Sequence, residues 1–230
     1  EDLGQQAVSA FCPLGNLAVR LLDWSNRHGK ALAVRLRGGI HPKHLIPDGD
    51  AYEWYLAPLR PDWAVLDVGC GMGRHTLRVQ ERCRLAMGID RDPSILWRSP
   101  HLRVWDFARR GLPYPSATFD AALCLDVIEH VDDRPALLAE IRRVLKPGGL
   151  LFISAPNRET TWRRRLRGAG LLSFSDPDHR VEYTRHEFVG ELYAAGFALA
   201  DAVRPTTLDT PWAGLQDALG ACWLPLYAWL

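Results

Sequence analysis

Three carboxylates stand at the ends of three successive apolar runs, a spacing that suits an adenosine-bearing ligand. Asp67 lies inside Val65-Leu66-Asp67-Val68, which runs into Gly69-Cys70-Gly71-Met72-Gly73. Glycines there let a strand turn tightly into a helix whose first amides point outward, ready for a ligand pressed against the backbone. Asp90 closes the next run, 21 residues after Gly69 and beside Arg91. An acid there can accept both ribose hydroxyls of an adenosine. Asp106 follows the third run, between Trp105 and Phe107. It can take an adenine amino group while a ring packs on the base. Singly, each has a local alternative, Asp67 as a turn cap, Asp90 as a solvated loop residue and Asp106 as a helix cap, but their recurrence at successive strand ends favours the ligand. A nicotinamide-binding loop would place its third glycine or alanine at position 74, which is Arg74, and asks for no acid at Asp67.

Two histidines could carry proton chemistry. His130 follows the fourth apolar run, beside the glycine loop at the point where strand order reverses and ligands bind. It is the candidate general base, because imidazole is the side chain most often used to take a proton near neutral pH. Its alternative role is to shape, with Glu129, the turn into the next helix. His179 and Tyr183, in Asp178-His179-Arg180-Val181-Glu182-Tyr183, are candidate acceptor contacts or ordinary loop packing. His75, inside the helix after the glycine loop, reads as structural.

The elements that must position these groups alternate. Short apolar runs are predicted as strands at 63–68, 85–89, 102–105, 119–125, 150–154 and 197–203. Helical patterns separate them. Pro135 opens one helix behind Asp132 and Asp133, and Lys146-Pro147-Gly148-Gly149 ends it. Thr184 and Glu187 form a capping box for another, closed by Gly196. Strands that are apolar without alternation, interleaved with helices, imply an α/β fold with a parallel sheet covered on both faces. Residues 1–60 read as a helical cap with apolar faces at Val19, Leu21, Leu22, Trp24 and at 51–59, joined through His41-Pro42-Lys43-His44. Residues 61–205 read as the core, with a lid insert at 158–183, and 206–230 as an apolar, tryptophan-rich tail.

From Val65 to Asn157 the chain resembles class I S-adenosylmethionine-dependent methyltransferases, in particular the small-molecule group that includes ubiquinone-pathway O-methyltransferases. The matching pieces are the glycine loop, Gly88-Ile89-Asp90, Trp105-Asp106-Phe107, Phe119-Asp120-Ala121, Leu125 through Val131, and Leu145 through Gly149. The resemblance implies a Rossmann-like, mostly parallel sheet and S-adenosylmethionine as cofactor. Asp67, Gly69, Cys70, Gly71, Asp90, Arg91, Asp106, Phe107 and Leu125 would then line the cofactor, and the activity would be methylation of a small molecule, with a hydroxyl oxygen favoured. It also implies a lid after the fifth strand, to which His179 and Tyr183 would belong. Asp126, Glu129 and His130 have the spacing of a divalent-metal cluster in ubiquinone-pathway enzymes, with Asp126 in place of a longer glutamate; the favoured reading assigns no metal. Six strands are one short of the family's seven, so the chain is expected to lack the seventh or stop before it. A cofactor-binding module without turnover and a nicotinamide oxidoreductase remain as alternatives.

Composition narrows the partners. A net charge of +1 argues against a nucleic-acid coat, and a hydrophobic share of 47% with 24% charged residues fits a well-cored globule. The odd number of cysteines, none spaced as a metal knuckle, fits a reducing compartment and a cytoplasmic location. Residues 158–174 are rich in arginine, and 211–230 hold Trp212, Trp223 and Trp229 with Asp217 as the one charge. The first reads as a solvated basic helix, an anionic-substrate clamp or a membrane-surface patch, and the second as packing against the lid or as peripheral membrane contact. Oligomeric state stays open.

Overall fold

A computed structural model describes residues 13–38, 54–93, 100–171, 174, 178–201 and 212–222. The chain divides into two compact units. One comprises residues 54–157 and 174–203; the other comprises 1–53, 158–173 and 204–230.

Among the described residues the first unit holds a parallel sheet of five strands: β1 (Ala64–Val68), β2 (Leu85–Asp90), β3 (Leu102–Val104), β4 (Phe119–Leu125) and β5 (Leu145–Ser154). Their order is β3-β2-β1-β4-β5, so strand order reverses between β1 and β4. All four neighbouring pairs are parallel. Every residue of β1 is buried because the sheet is covered on both faces. Leu66 and Val68 pack with Leu137, Ile141 and Val144 of helix α4 (Arg134–Val144). Val65 points the other way, into a cluster with Val79 of helix α2 (Arg74–Gln80) and with Tyr55 and Leu56. Helix α3 (Phe107–Arg110) is one short turn after β3.

The helix punctuation expected from sequence is present. Asp133 caps α4, its side chain accepting from the Ala136 amide, with proline in the first turn. Thr184 and Glu187 complete a capping box on helix α6 (Arg185–Ala194). At the far end of α4, Leu145 already pairs with Phe119, so β5 begins before the Lys146–Gly149 turn rather than after it.

Among the described residues the expected sixth strand is not formed: Phe197–Asp201 has no strand pairing, and residues 202–203 lie outside them. Gly196 takes a left-handed φ of 82° and the Phe197 amide bonds back to Leu192, so this segment closes α6. Ala198, Leu199 and Ala200 then lie exposed, and small residues carry little β-propensity without a strand to pair with. Trp54 to Pro58 forms turns, not the helix predicted over 51–59. His41–His44 lies outside the described residues.

The second unit holds helices α1 (Pro13–Leu36), α5 (Thr161–Gly168) and α7 (Ala213–Cys222), with α1 against both of the others. Here the expected apolar face of α1 is divided. Val19 and Leu22 are partly buried, whereas Leu21 and Trp24 are exposed by 60% and 61%. The inward face instead buries Asp23, Asn26 and Ala33.

Candidate active site

The glycine loop leaves β1 through three left-handed residues, Gly69, Gly71 and Gly73, at φ 72°, 52° and 82°. Gly69 is required twice over. Its φ disfavours any side chain, and an added Cβ would stand 2.4 Å from Val127, just past the end of β4. That close approach brings the glycine loop against the segment leading to His130, in the crevice where strand order reverses. At Gly71 an added Cβ would meet nothing within 4 Å, so the space over the loop is open.

The acids around this loop have distinct jobs. Asp67 is buried and its Oδ2 accepts from the Thr76 hydroxyl at 2.7 Å, fastening the loop to α2. Burial pushes its carboxyl above the ordinary aspartate value. Asp90 accepts the Gly71 amide at 2.8 Å on Oδ2 and the Asp92 amide at 2.9 Å on Oδ1. Each carboxylate oxygen keeps a second lone pair, so a fixed Asp90 can still accept hydroxyls from a ligand. Arg91 is exposed. Asp106 precedes α3 without capping it, and Arg109 lies 3.6 Å away. Phe107 is buried in the core with Leu112, and Leu125 is partly buried at the end of β4. Cys70 is buried, and desolvation pushes its thiol far up, so it is neutral and contributes only volume and backbone. His75 bonds the Tyr55 hydroxyl through Nδ1 at 2.7 Å, in line with a structural role.

A second cluster forms after β4. Asp126 holds a strained φ of 53° and its Oδ1 accepts from Ser154 Oγ at 2.8 Å. The 3₁₀ turn Ile128–His130 then buries Glu129 and leaves His130 half-buried. His179 meets His130 edge to face, with ring centroids 4.7 Å apart. Its Nδ1 lies 3.0 Å from Glu182 Oε1 and its Nε2 lies 3.9 Å from Glu129 Oε1. The Arg180 amide donates to the Glu129 carbonyl at 2.7 Å, tying the 178–183 segment to the turn. Glu129, His130 and His179 thus offer three ligand atoms within 4.8 Å of one another. Asp126 is turned to Ser154 and is not part of that triplet.

His130 and His179 are each legible in the sequence as candidates, but their contact is not, and neither is the role of Glu182. The sequence signal for Glu182 is an acid three residues after His179, a spacing that says nothing about burial. Tyr183 goes elsewhere: its ring packs against Phe188 in a cluster with Ile128 and Leu138, and its backbone bridges Asn157.

A family profile described as a methyltransferase domain matches residues 26–202. A protein named probable S-adenosylmethionine-dependent methyltransferase from Mycolicibacterium smegmatis is 31% identical over 143 residues, covering 60% of this chain and 53% of that protein. Ubiquinone biosynthesis O-methyltransferase of Histophilus somni is 28% identical over 135 residues, covering 53% and 57%. The crystal structure of a SAM-dependent methyltransferase from Archaeoglobus fulgidus shares the fold at TM-score 0.54, with 18% identity over 65% of this chain and 67% of that one. The chain spans 53% to 61% of the length of the first curated relatives it matches.

Proposed function

Because the chain belongs to the class I S-adenosylmethionine-dependent methyltransferases, we propose that it methylates a hydroxyl oxygen of a small-molecule acceptor, with His130 as general base. When bound, S-adenosylmethionine supplies a methyl carbon made electrophilic by the sulfonium. The chain's task is then to align acceptor and donor, exclude water and take one proton. The backbone of Gly69, Cys70 and Gly71 would carry the methionine moiety, with Leu125 alongside. Asp90, oriented by two amides, would hold the ribose next to Arg91. Asp106 and Phe107 would frame the adenine, and Asp67 would hold the loop through Thr76. The sulfonium would also serve as the leaving group, so the chain's own residues need only hold the acceptor oxygen in line with the donor. His130 accepts the hydroxyl proton. Alignment alone is worth several kcal/mol, about 7–11 at the limit, so no covalent enzyme intermediate is needed.

The observation that carries this reading is the placement of His130 directly after a residue stretch in contact range of Gly69, with His179 against its ring. His179 is the proposed acceptor contact. Tyr183 is proposed to support it by packing beneath the segment. The test is methyl transfer from a radiolabelled donor to a panel of catechol-like, carboxylic and amine acceptors, with release of S-adenosylhomocysteine followed. His130→Ala is expected to lower kcat about 100-fold or more while leaving donor affinity unchanged. Near-normal turnover would sink the base. Donor binding with no S-adenosylhomocysteine released from a whole-cell extract would favour a binding module.

The triplet Glu129, His130 and His179 favours a second reading, in which these side chains hold a divalent cation. Two imidazoles and a carboxylate suit zinc, manganese or iron better than magnesium, and Glu182 on His179 Nδ1 is the usual second partner of a ligating histidine. A cation there would polarise the acceptor oxygen, and His130 would then be ligand instead of base. Metal analysis and chelation separate the two: activity that survives chelation removes the cation.

Peripheral membrane contact through residues 158–174 and 211–230 belongs to the same proposal. Exposed Trp212, Leu215 and Leu219 support it, as do the exposed arginines of α5. Among the described residues no helix is long and apolar enough to cross a membrane. Trp223 and Trp229 lie outside the described residues.

A further inference from the structure

Helix α1 is amphipathic in the wrong direction for a helix in water. Its inward face buries Asp23 and Asn26, while Leu17, Leu21, Trp24, Leu32 and Leu36 are each about half exposed or more. Positions 17, 21, 24, 32 and 36 recur at helical spacing, so they form one stripe along the 24-residue helix. Trp24 is the most exposed of them and stacks on His28, with ring centroids 4.1 Å apart.

Charge says what the stripe faces. Arg20, Arg27, Lys30 and Arg35 are exposed on the same helix, and the one acid of α1, Asp23, is buried and paired with Arg27. In the same unit, α5 exposes Arg164, Arg165 and Arg167 and contains no acid. A basic, tryptophan-bearing apolar stripe without exposed acids is complementary to a surface that is apolar beneath and anionic above. A second copy of the chain would bring the same positive charges against it.

We propose that α1 lies on an anionic lipid surface, with the Leu17–Leu36 stripe inserted among the acyl chains and its basic side chains at the head groups. This rests on the reading that the protein makes peripheral membrane contact, and it assigns the principal contact to a helix outside the 158–174 and 211–230 segments.

The experiment is sedimentation of the full chain with vesicles of mixed phosphatidylcholine and phosphatidylglycerol, and with phosphatidylcholine alone. Wild type is expected to bind the mixed vesicles, to lose that binding in high salt and to bind neutral vesicles weakly. The double variant Leu21→Glu/Trp24→Glu is expected to weaken binding to mixed vesicles at least about ten-fold, since each side chain forfeits its apolar burial. These positions are exposed, so thermal unfolding and S-adenosylhomocysteine binding should be unchanged and serve as folding controls. Leu215→Glu/Leu219→Glu on α7 provides the contrast. Binding lost in the α7 variant but kept in the α1 variant overturns the α1 assignment while peripheral contact stands. No vesicle binding by wild type overturns both. A dimer in sedimentation velocity that the α1 variant dissolves, without vesicle binding, assigns the stripe to a second copy instead.

Discussion

The two units follow opposite rules for placing apolar residues. In the sheet unit, β1 is buried along its whole length and its large side chains alternate between two apolar layers, Leu66 toward α4 and Val65 toward α2. In the helical unit, α1 turns Asp23 and Asn26 inward and five large apolar side chains outward. The first arrangement covers its own apolar surface. The second exposes its apolar surface, which the proposed lipid contact would cover. Truncating the same residue type in each unit tests this contrast. Leu66→Ala is expected to cost about 2–5 kcal/mol in denaturant unfolding, because the side chain is fully enclosed and its removal leaves a cavity. A loss below about 1 kcal/mol would mean the sheet core is looser than its burial indicates.

Within the sheet unit, two glycines of one loop separate fold from ligand. An alanine Cβ at Gly69 meets Val127 at 2.4 Å, with φ already left-handed, so Gly69→Ala is expected to cost about 1–3 kcal/mol of stability as well as donor binding. At Gly71 the added methyl enters open space. Gly71→Ala should therefore cost only about 1–2 kcal/mol in backbone strain and act mainly on S-adenosylhomocysteine affinity by calorimetry. Equal losses of affinity and stability in both variants would mean the open space over Gly71 is not where the donor lies.

The same contrast marks what the sequence made legible. β1, β2 and β4 announce themselves as largely apolar runs because a doubly covered sheet wants no alternation, and Asp133 and Thr184 reveal helix starts because capping is a local affair. The segment 197–203 has the same apolar texture, yet Gly196 and Phe197 use it to close α6, and no local feature distinguishes a paired strand from an unpaired one. Leu21 and Trp24 look like any apolar helix face; only the burial of Asp23 and Asn26 shows which way α1 is turned. The Glu129–His130–His179–Glu182 cluster joins positions some fifty residues apart, and one sequence carries no record of that contact.

Acid should weaken the sheet unit through identifiable pairs. Burial of Asp120 works against its ionisation, but the Ala64 amide, at 2.8 Å, and Lys146, at 2.6 Å, outweigh it and hold its carboxyl below the usual aspartate value. Glu140 is likewise lowered, chiefly by hydrogen bonds from Arg143. A depressed folded-state value adds stability at pH above the unfolded-state value, near 3.8 for aspartate, and that stability disappears as pH falls through the folded-state value. Lys146 is 41% exposed, so solvent screens the pair and its contribution is about 1 kcal/mol or less. Asp120→Asn is expected to flatten the fall in melting temperature below about pH 4. An unaltered acid limb would assign that stability to other groups.

The smallest effect is expected where a leucine is removed from the other unit. Leu21 is 60% exposed, so Leu21→Ala gives up little burial, replaces leucine by the best helix former and leaves no cavity. Its effect on unfolding should stay within about 0.5 kcal/mol of zero. Against the cost at Leu66, the same truncation then differs several-fold between two units of one chain, because only one of them keeps its leucines from water. A cost at Leu21 approaching that at Leu66 would show that the stripe on α1 is already covered by the protein's own chain, and the lipid surface would lose its physical reason.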